Sequence, residues 1–243
     1  GVNEIIRNYV PASKDLPILA DEPLFERDMN KCILCGRCVV MCQQVRDIGT
    51  IGITQRGYDS LVSPSFETSY AEAACKFCGA CVEVCPSGAM VDKREIPEGE
   101  KEELLVPCRS NCPAGVDVPR YVQLAARGKY QDSLEVVRET VPFPYTLGLV
   151  CQHPCEEACR REDLNGPIAI RDIKRFVAER DTGRWKEVLA AARETGKKVT
   201  VIGGGPAGLT AAWFLRLKGH DVTVHETLPN CGGMMFSGIP RYR

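Results

Sequence analysis

The sequence has no long apolar run, no block of like charges and few aromatic residues. Its 243 residues include 31 basic and 32 acidic side chains, a formal net charge of −1, and 7% aromatic residues. Evenly mixed charge of this kind offers no basic tract for nucleic acid or for an anionic membrane surface. The apolar runs are far shorter than the ~18 residues that a membrane-spanning helix needs. We therefore expect no nucleic-acid partner and no membrane insertion.

The dominant feature that is present is a cysteine run that occurs twice. Cys32-Ile-Leu-Cys-Gly-Arg-Cys-Val-Val-Met-Cys42 returns as Cys75-Lys-Phe-Cys-Gly-Ala-Cys-Val-Glu-Val-Cys85. This C-x2-C-x2-C-x3-C spacing is that of a two-cluster [4Fe–4S] ferredoxin, in which the fourth cysteine of each run binds the other cluster. The predicted ligand sets are Cys32, Cys35, Cys38 and Cys85 for one cluster, and Cys75, Cys78, Cys81 and Cys42 for the other.

Zinc sites or a disulfide framework would account for these cysteines less well. Zinc prefers isolated C-x2-C pairs to a fourfold run, and a disulfide framework would not repeat one regular spacing twice. Of the 14 cysteines, 13 fall in metal-ligand spacings and only Cys231 stands apart. Thiols that stay available to iron point to a reducing cytoplasm, and low-potential clusters suggest an anaerobe. The start of the sequence lacks a signal-peptide pattern.

The regions around the two runs complete a first module. Residues 1–31 contain Pro11, Pro17 and Pro23, which exclude a long helix, and we interpret them as an extended surface segment. Residues 32–96 are the predicted two-cluster domain. Within it, residues 48–62 alternate β-branched side chains around a Gln-Arg-Gly turn, which predicts a β-hairpin.

The motifs of this module resemble those of known families. Arg27-Asp-Met-Asn-Lys-Cys-Ile-Leu-Cys-Gly-Arg-Cys-Val39, Gly57-Tyr-Asp59 and Cys75-Lys-Phe-Cys-Gly-Ala-Cys-Val82 are similar to the ferredoxin-like module of [FeFe]-hydrogenase catalytic subunits. The iron–sulfur subunits of complex I and of NAD-linked formate dehydrogenases are similar too. In those families the module follows a [2Fe–2S] domain and a cluster held by one histidine and three cysteines. Neither ligand set is found in this sequence.

Residues 97–196 contain five more cysteines among segments of helical periodicity. Apolar spacing predicts helices over residues 118–127, 130–140, 168–180 and 185–195. The arrangement resembles the N-terminal iron–sulfur domain of the glutamate synthase small subunit, which also occurs in dihydropyrimidine dehydrogenase and in ferredoxin:NADP transhydrogenases. That family usually builds two clusters from a C-x2-C-x4-C-x3-C-P run and three later cysteines.

This sequence departs from the family pattern, because its first two cysteine positions are Glu100 and Glu103. Five cysteines cannot fill eight ligand positions, so we expect one cluster here. The expected ligands are Cys112, Cys151 and Cys155, with either Cys108 or Cys159 as the fourth. The alternative is a module that has lost its iron and keeps buried thiols. We interpret His153 as a surface imidazole.

Residues 197–243 have the pattern strand, glycine turn, helix and strand. The Gly203-Gly-Gly-Pro-Ala-Gly208 run follows a β-branched strand and opens a helix, and Glu226 ends the second strand. This context predicts a dinucleotide site. Gly203 permits the turn, Gly205 lets the pyrophosphate approach the helix N-terminus, and Gly208 lets helix and strand pack. Glu226 would accept hydrogen bonds from the ribose hydroxyls. The alternative is a glycine loop that closes an ordinary βαβ unit.

The same segment resembles the FAD domain of the glutamate synthase small-subunit family through residues 201–209 and 232–243. In that family an NADPH-binding Rossmann domain follows. The resemblance implies FAD held by Gly203, Gly204, Gly205, Pro206, Ala207, Gly208, Glu226, Gly232 and Gly233. Two strands and one helix do not make a stable sheet, so we expect FAD in a longer polypeptide, of which this sequence is a part. Cys231 is interpreted as structural.

The sequence therefore predicts a multidomain α+β chain: a two-cluster ferredoxin-like module, an α-helical iron–sulfur domain and the first βαβ of an incomplete Rossmann-type FAD domain. We expect a subunit of a cytoplasmic oxidoreductase complex that relays electrons between a flavin/NAD(P)H site and partner redox subunits or ferredoxin. The resemblance implies a complex of hydrogenase, formate dehydrogenase or electron-bifurcating transhydrogenase type. No catalytic acid or base is identified. The alternatives are a glutamate synthase small-subunit-like NADPH-oxidising donor and an electron-wire subunit without flavin.

Overall fold

The chain is divided into two units, and the segment after Cys159 returns to the first of them. The computed structural model describes residues 14–65, 68–97, 99–188, 193–240 and 242. The first unit comprises Gly1–Pro107 and Arg160–Gly166, and the second comprises Cys108–Cys159 and Pro167–Arg243. The helical segment and the glycine-loop segment thus share one unit. The sequence-based domain boundaries at 31/32, 96/97 and 196/197 stay predictions.

The first unit is built from short strands and single helical turns around the cysteine runs. Its strands are β1 (Phe25–Arg27), β2 (Ile51–Thr54), β3 (Leu61–Pro64) and β4 (Met90–Asp92). Its helices are α1 (Arg37–Val40), α2 (Ala80–Glu83) and α3 (Lys101–Leu105), with a π turn at Met41–Val45 and 3-10 turns at Met29–Lys31, Gly57–Asp59 and Arg160–Asp163. Strands β2 and β3 pair antiparallel from Ile51↔Pro64 to Thr54↔Leu61, which confirms the predicted hairpin.

The interpretation of residues 1–31 as a surface segment is wrong for its last part. Strand β1 pairs antiparallel with β4, with Phe25 opposite Asp92, and Leu24, Phe25 and Met29 are buried in the core beneath the cysteine loops. An alternating buried–exposed–buried pattern over a three-residue strand is too short to stand out in the sequence. Residues 1–13 lie outside the described part of the chain.

The second unit begins with helices, most of which contribute to a shared apolar core. They are α4 (Pro107–Ser110, whose first residue belongs to the first unit), α5 (Val118–Ala126), α6 (Tyr130–Arg138), α7 (Pro144–Val150), α8 (Pro154–Glu157), α9 (Ile170–Ala178) and α10 (Trp185–Val188). Asp117 caps α5 by accepting the Arg120 N–H at 3.3 Å. The predicted helices over 118–127, 130–140 and 168–180 are confirmed within one or two residues at each end. The one over 185–195 is present from Trp185 to Val188, and residues 189–192 lie outside the described residues. Its predicted last residues, 193–195, are not helical, so the predicted end is wrong.

Hydrogen bonds from two buried hydroxyls connect three of these helices. Tyr121 Oη on α5 donates to the Ile170 carbonyl at 2.9 Å, and Ser133 Oγ on α6 donates to the Tyr121 carbonyl at 2.7 Å. Because both hydroxyls are buried, each needs such a partner. The two hydrogen bonds connect α5 to α9 and α6 to α5.

The last part of the second unit is the predicted βαβ. Strands β5 (Lys198–Ile202) and β6 (Asp221–His225) pair in parallel, and helix α11 (Pro206–Leu217) connects them. A short helix α12 (Met234–Ser237) follows. The Trp213 ring centroid on α11 lies 4.9 Å from the Trp185 ring centroid, so the βαβ packs on the helical part. Among the described helices, none combines the length and apolar character needed to cross a bilayer.

Candidate iron–sulfur and nucleotide-binding sites

Four cysteines from both runs line the first cavity of the ferredoxin-like unit. The sulfur-bearing residues are Cys32, Cys35, Cys38 and Cys85. Met29, Ile33, Val62 and Met90 supply apolar walls. These are the four cysteines that the crossed spacing assigns to one cluster. Cys35 is exposed while Cys38 is buried, so one side of this site faces solvent.

The other four cysteines line a second cavity. They are Cys42, Cys75, Cys78 and Cys81. Phe25 and Tyr70 form part of its wall, and their rings meet edge to face with centroids 5.1 Å apart. Strand β1, which carries Phe25, is therefore part of the second site's support, although sequence reasoning placed it outside the module.

Left-handed backbone turns bring the cysteines of each run together. Leu34 and Gly36 have φ of +52° and +71° in the first loop, and Phe77 and Gly79 have +51° and +78° in the second. The matching conformations reverse the chain on both sides of the middle cysteine. The Phe77 N–H consequently points at the Cys75 sulfur, with 3.3 Å between nitrogen and sulfur, and such N–H···S bonds tune cluster potentials.

The thiols of each cavity influence one another's protonation. Burial raises the pKa of Cys38 to about 11, and the thiols of Cys32, Cys85 and Cys35 contribute to that rise. Burial likewise raises the pKa of Cys75 to about 12, with Cys78 and Cys42 adding to the effect. Burial, with Cys78, Cys75 and Cys42, also raises the pKa of Cys81, and Cys38 of the other set contributes to that rise. Thiols placed so closely in apolar surroundings ionise together only when a cation shares their charge.

Cys85 differs from the other buried thiols. Burial alone would raise its pKa. Its sulfur, however, accepts hydrogen bonds from the N–H groups of Met90, Ser87 and Ala89 and from the Ser87 hydroxyl, so its pKa lies below the ordinary value. The turn after α2 is thus preformed for a thiolate.

Within the described residues, no three His, Cys, Asp or Glu side chains are arranged to hold a single metal ion.

Cysteines of the second unit also gather at its apolar core. Cys155 is buried in this core, and Cys108 and Cys112 pack against it. Burial raises the pKa of Cys155 to about 11, with contributions from Cys112 and Cys151. Burial raises the pKa of the Tyr121 hydroxyl, and Cys155, Cys112 and Cys108 contribute to that rise. Cys159 is buried as well, but it is not part of this core.

The turn after Cys151 repeats the geometry of the ferredoxin loops. His153 has a φ of +50°, and its N–H donates to the Cys151 sulfur at 3.3 Å, as Phe77 does to Cys75. The His153 imidazole Nδ1 lies 3.4 Å from Glu156 Oε2, and the side chain is 30% exposed. The backbone of His153, two residues after a cysteine as in both ferredoxin loops, therefore contributes to this site.

The glycine loop between β5 and α11 is close-packed at one glycine and open at another. Gly203 has a φ of +99°, and a Cβ on Gly208 would lie 1.9 Å from the Gly203 carbonyl oxygen. A Cβ on Gly205 would meet no atom within 4 Å. Gly208 is therefore required by the packing of helix against strand, whereas Gly205 leaves space beside the helix N-terminus.

Glu226 and the second glycine pair hold this loop in place. Glu226 Oε2 accepts the Gly204 N–H at 2.6 Å and its Oε1 accepts the Leu228 N–H at 2.9 Å. These backbone bonds keep the pKa of the Glu226 carboxyl below its ordinary value. Each carboxylate oxygen keeps a lone pair for a further donor such as a ribose hydroxyl. Gly232 N–H donates to the Gly204 carbonyl at 2.7 Å, and a Cβ on Gly233 would lie 3.0 Å from Gly205 Cα.

Three family comparisons match successive parts of the chain. Residues 22–91 match the ferredoxin-like domain of NADH-quinone oxidoreductase subunit 3. Residues 104–185 match the 4Fe-4S cluster domain II of dihydropyrimidine dehydrogenase, and residues 201–240 match an NAD(P)-binding Rossmann-like domain. The first match starts ten residues before Cys32 and includes strand β1.

Curated relatives are subunits of oxidoreductases. The chain is 41% identical over 165 residues to the NADP(+)-dependent formate dehydrogenase subunit beta of Moorella thermoacetica, covering 59% of this chain and 23% of the relative. It is 36% identical over 148 residues to the NADPH-Fe(3+) oxidoreductase subunit beta of Geobacter sulfurreducens, covering 58% and 22%.

A third relative is the glutamate synthase [NADPH] small chain of Mycobacterium tuberculosis, 36% identical over 138 residues, which is 56% of this chain and 28% of the relative. The chain thus spans about a quarter of the length of these relatives. The resemblances that the sequence motifs indicate are confirmed: the chain carries two ferredoxin-like 4Fe-4S domains followed by the start of a Rossmann-like nucleotide-binding domain.

Proposed function

We propose that each group of four cysteines binds one [4Fe–4S] cluster. The observation that supports this most strongly is that two cavities, each walled by apolar side chains, are lined by four cysteines apiece, in the crossed sets that ferredoxin spacing requires. Bound clusters would supply one-electron transfer. The chain's own contribution is to gather the sulfurs, hydrogen-bond them from the backbone and surround them with apolar side chains.

For the third site, we propose Cys108 as the fourth ligand beside Cys112, Cys151 and Cys155. Cys108 packs against the same core as Cys112 and Cys155. Like those two cysteines, it contributes to the raised pKa of the buried Tyr121 hydroxyl. The preformed N–H···S turn after Cys151 argues against a module that has lost its iron, because a turn of this kind serves a sulfur that carries negative charge.

We propose that the glycine loop binds the pyrophosphate of FAD in the longer polypeptide. The open space at Gly205, the start of helix α11 at Pro206 and the lone pairs of Glu226 fit a dinucleotide. The carboxylate would accept ribose hydroxyls while its N–H bonds fix its orientation. Gly232 and Gly233 hold the loop from the other side.

We infer that the whole protein is an oxidoreductase subunit that passes electrons between NAD(P)H, through a flavin, and partner redox subunits or ferredoxin in a cytoplasmic complex. The formate dehydrogenase and NADPH-Fe(3+) oxidoreductase relatives support NADPH as the nucleotide. The role of the described part of the chain in this proposal is to position redox groups and set their potentials.

A second candidate is a glutamate synthase small-chain role, supported by relatives at 35–36% identity that are matched over 55–56% of this chain. The domain at residues 22–91 that matches NADH-quinone oxidoreductase subunit 3 favours the first candidate. The small-chain family does not normally carry a ferredoxin-type module before its helical domain.

The crossed ligand sets predict which cluster each fourth cysteine serves. In Cys42→Ala the cluster of the Cys75 loop should be lost, and in Cys85→Ala the cluster of the Cys32 loop should be lost. Each variant would lose one cluster of the ferredoxin pair, measured by EPR of the dithionite-reduced protein. Cys231→Ala is the matched control, because this exposed thiol is outside all three groups. If either of the first two variants kept both clusters and full electron flux, the crossed assignment would be wrong.

Substitution of Gly208 should lower stability, whereas substitution of Gly205 should lower nucleotide binding. Gly208→Ala would force a Cβ to 1.9 Å from the Gly203 carbonyl oxygen and should destabilise the fold by about 1–3 kcal/mol or more, seen as a lower thermal midpoint. Gly205→Ala meets no protein atom, so the midpoint without nucleotide should stay unchanged while FAD content falls. Full FAD retention in the Gly205→Ala protein contradicts a pyrophosphate at this position.

The electron path predicts a response to NADPH in the full-length polypeptide. Anaerobic addition of NADPH should bleach the flavin absorption first and then the broad iron–sulfur absorption. The control is addition of NADH at the same concentration, which reports nucleotide preference. Bound flavin that NADPH reduces excludes a flavin-free electron wire. A complex with neither flavin nor NAD(P)H reactivity contradicts the proposed function.

A further inference from the structure

Two buried hydroxyl groups belong to residues that line the second cavity, and neither has a hydrogen-bond partner within the described part of the chain. They are Tyr70 Oη and Thr50 Oγ1. Tyr70 is 1% exposed and Thr50 is 8% exposed, so bulk water does not serve them. Because buried polar side-chain atoms in native proteins are nearly always hydrogen-bonded, these two hydroxyls call for an acceptor.

Sulfur is the acceptor that the side chains of this cavity offer. Besides the four cysteines, the other described residues that line it have apolar side chains or none: Phe25, Ile48, Ile51, Phe77, Gly79 and Ala80. No cysteine sulfur accepts a hydrogen bond from either hydroxyl. The sulfides of a [4Fe–4S] cluster would bring further acceptors into the same cavity, and hydrogen bonds to such sulfurs set the cluster potential.

The Tyr70 ring is held in the cavity wall by contacts that do not use its hydroxyl. The Phe25 ring meets it edge to face, and the Arg27 guanidinium carbon lies 4.6 Å from the ring centroid. The Tyr70 N–H donates to Glu22 Oε1 at 2.9 Å, and the Tyr70 carbonyl accepts the Cys75 N–H at 2.8 Å. The phenol is therefore fixed beside a cysteine of the cavity.

Thr50 is likewise tied to the cavity, and a second threonine of the same hairpin shows the contrast. The Ile48 N–H donates to the Cys42 carbonyl at 2.8 Å, which anchors the segment before Thr50 to another cysteine of the set. Thr54, at the far end of β2, has its Oγ1 2.7 Å from Ser63 Oγ. One threonine hydroxyl is thus satisfied within the hairpin, whereas the one at the cavity is not.

We infer that the hydroxyls of Tyr70 and Thr50 donate hydrogen bonds to sulfur atoms of the second-cavity cluster and raise its reduction potential. This rests on the cluster proposed for that cavity. Reduction adds one electron and no proton to the cluster, and hydrogen bonds strengthen as their acceptor becomes more negative. The two hydroxyls therefore stabilise the reduced form more than the oxidised form, and an electron is held at this cluster more strongly than the cysteines and the backbone alone would allow.

The test is a redox titration of the full-length polypeptide, purified anaerobically and followed by EPR. The second-cavity cluster's signal is identified as the one that Cys78→Ala loses. Tyr70→Phe and Thr50→Val each remove a hydroxyl and keep the shape of the side chain. In each variant the ratio of reduced to oxidised second-cavity cluster at a fixed potential should fall about fivefold, a shift of about 40 mV for one electron. The first-cavity cluster in the same sample should keep its potential.

A second readout detects the hydrogen bonds themselves. Electron–nuclear double resonance of the reduced second-cavity cluster, compared between protein reconstituted in H2O and in D2O, should show couplings to exchangeable protons. Tyr70→Phe and Thr50→Val should each remove one of these couplings. A purely structural role of the two side chains would leave the couplings unchanged.

Two controls make the same substitutions elsewhere in the first unit. Tyr58→Phe alters a tyrosine that is 53% exposed and that does not line the cavity. Thr54→Val removes the hydroxyl that pairs with Ser63 and should lower the thermal midpoint. Both controls should leave the potential and the proton couplings of the second-cavity cluster unchanged.

The outcomes separate this inference from the proposed cluster. An unchanged potential, or a shifted potential with all proton couplings retained, overturns the role of the hydroxyl that was removed. If the unaltered protein shows no exchangeable coupling at this cluster, both roles are overturned without any variant, while the cluster stands. If Cys78→Ala removes no iron and no signal, the second-cavity cluster is overturned together with both roles.

Discussion

The structure depends on the convergence of cysteine sulfurs in apolar cavities. Thiols buried together raise one another's pKa, as Cys38 and Cys75 show, so they form a stable charged set only around a cation that binds all of them. The local backbone makes this convergence possible. Left-handed residues such as Leu34, Phe77 and His153 reverse the chain beside each site, and N–H groups then point at sulfur. In the second unit, the turn at His153 repeats the local geometry of the ferredoxin loops.

Elements distant in sequence complete the second ferredoxin cavity. Strand β1 places Phe25 against Tyr70, and its partner β4 ends at Asp92, which pairs with Arg160 at 2.6 Å while both side chains are almost fully buried. A buried ion pair with one partner removed is strongly destabilising, so the Arg160–Gly166 segment is an integral part of the first unit. Gly79, whose Cβ would lie 2.2 Å from the Leu105 carbonyl oxygen, lets the end of α3 close over the same loop.

Sequence reasoning succeeded where the chemistry is local and periodic. The cysteine spacing indicated the same two sets of four that line the cavities, the hairpin and three helices followed from periodicity, and the glycine loop followed from its strand–turn–helix context. It failed where a contact joins distant residues. Strand β1 was interpreted as a surface segment, and the choice between Cys108 and Cys159 stayed open because spacing alone does not show which thiol reaches the core.

The central claim is that the cysteines form three four-sulfur sites, each holding a cluster. The most direct measurement is the iron and sulfide content of the anaerobically purified full-length polypeptide, compared between Cys108→Ala and Cys159→Ala. The difference from the unaltered protein is informative whatever further clusters the polypeptide contains. We expect about four irons and four sulfides fewer in Cys108→Ala and no loss in Cys159→Ala. Unchanged iron in Cys108→Ala would contradict the third site as described.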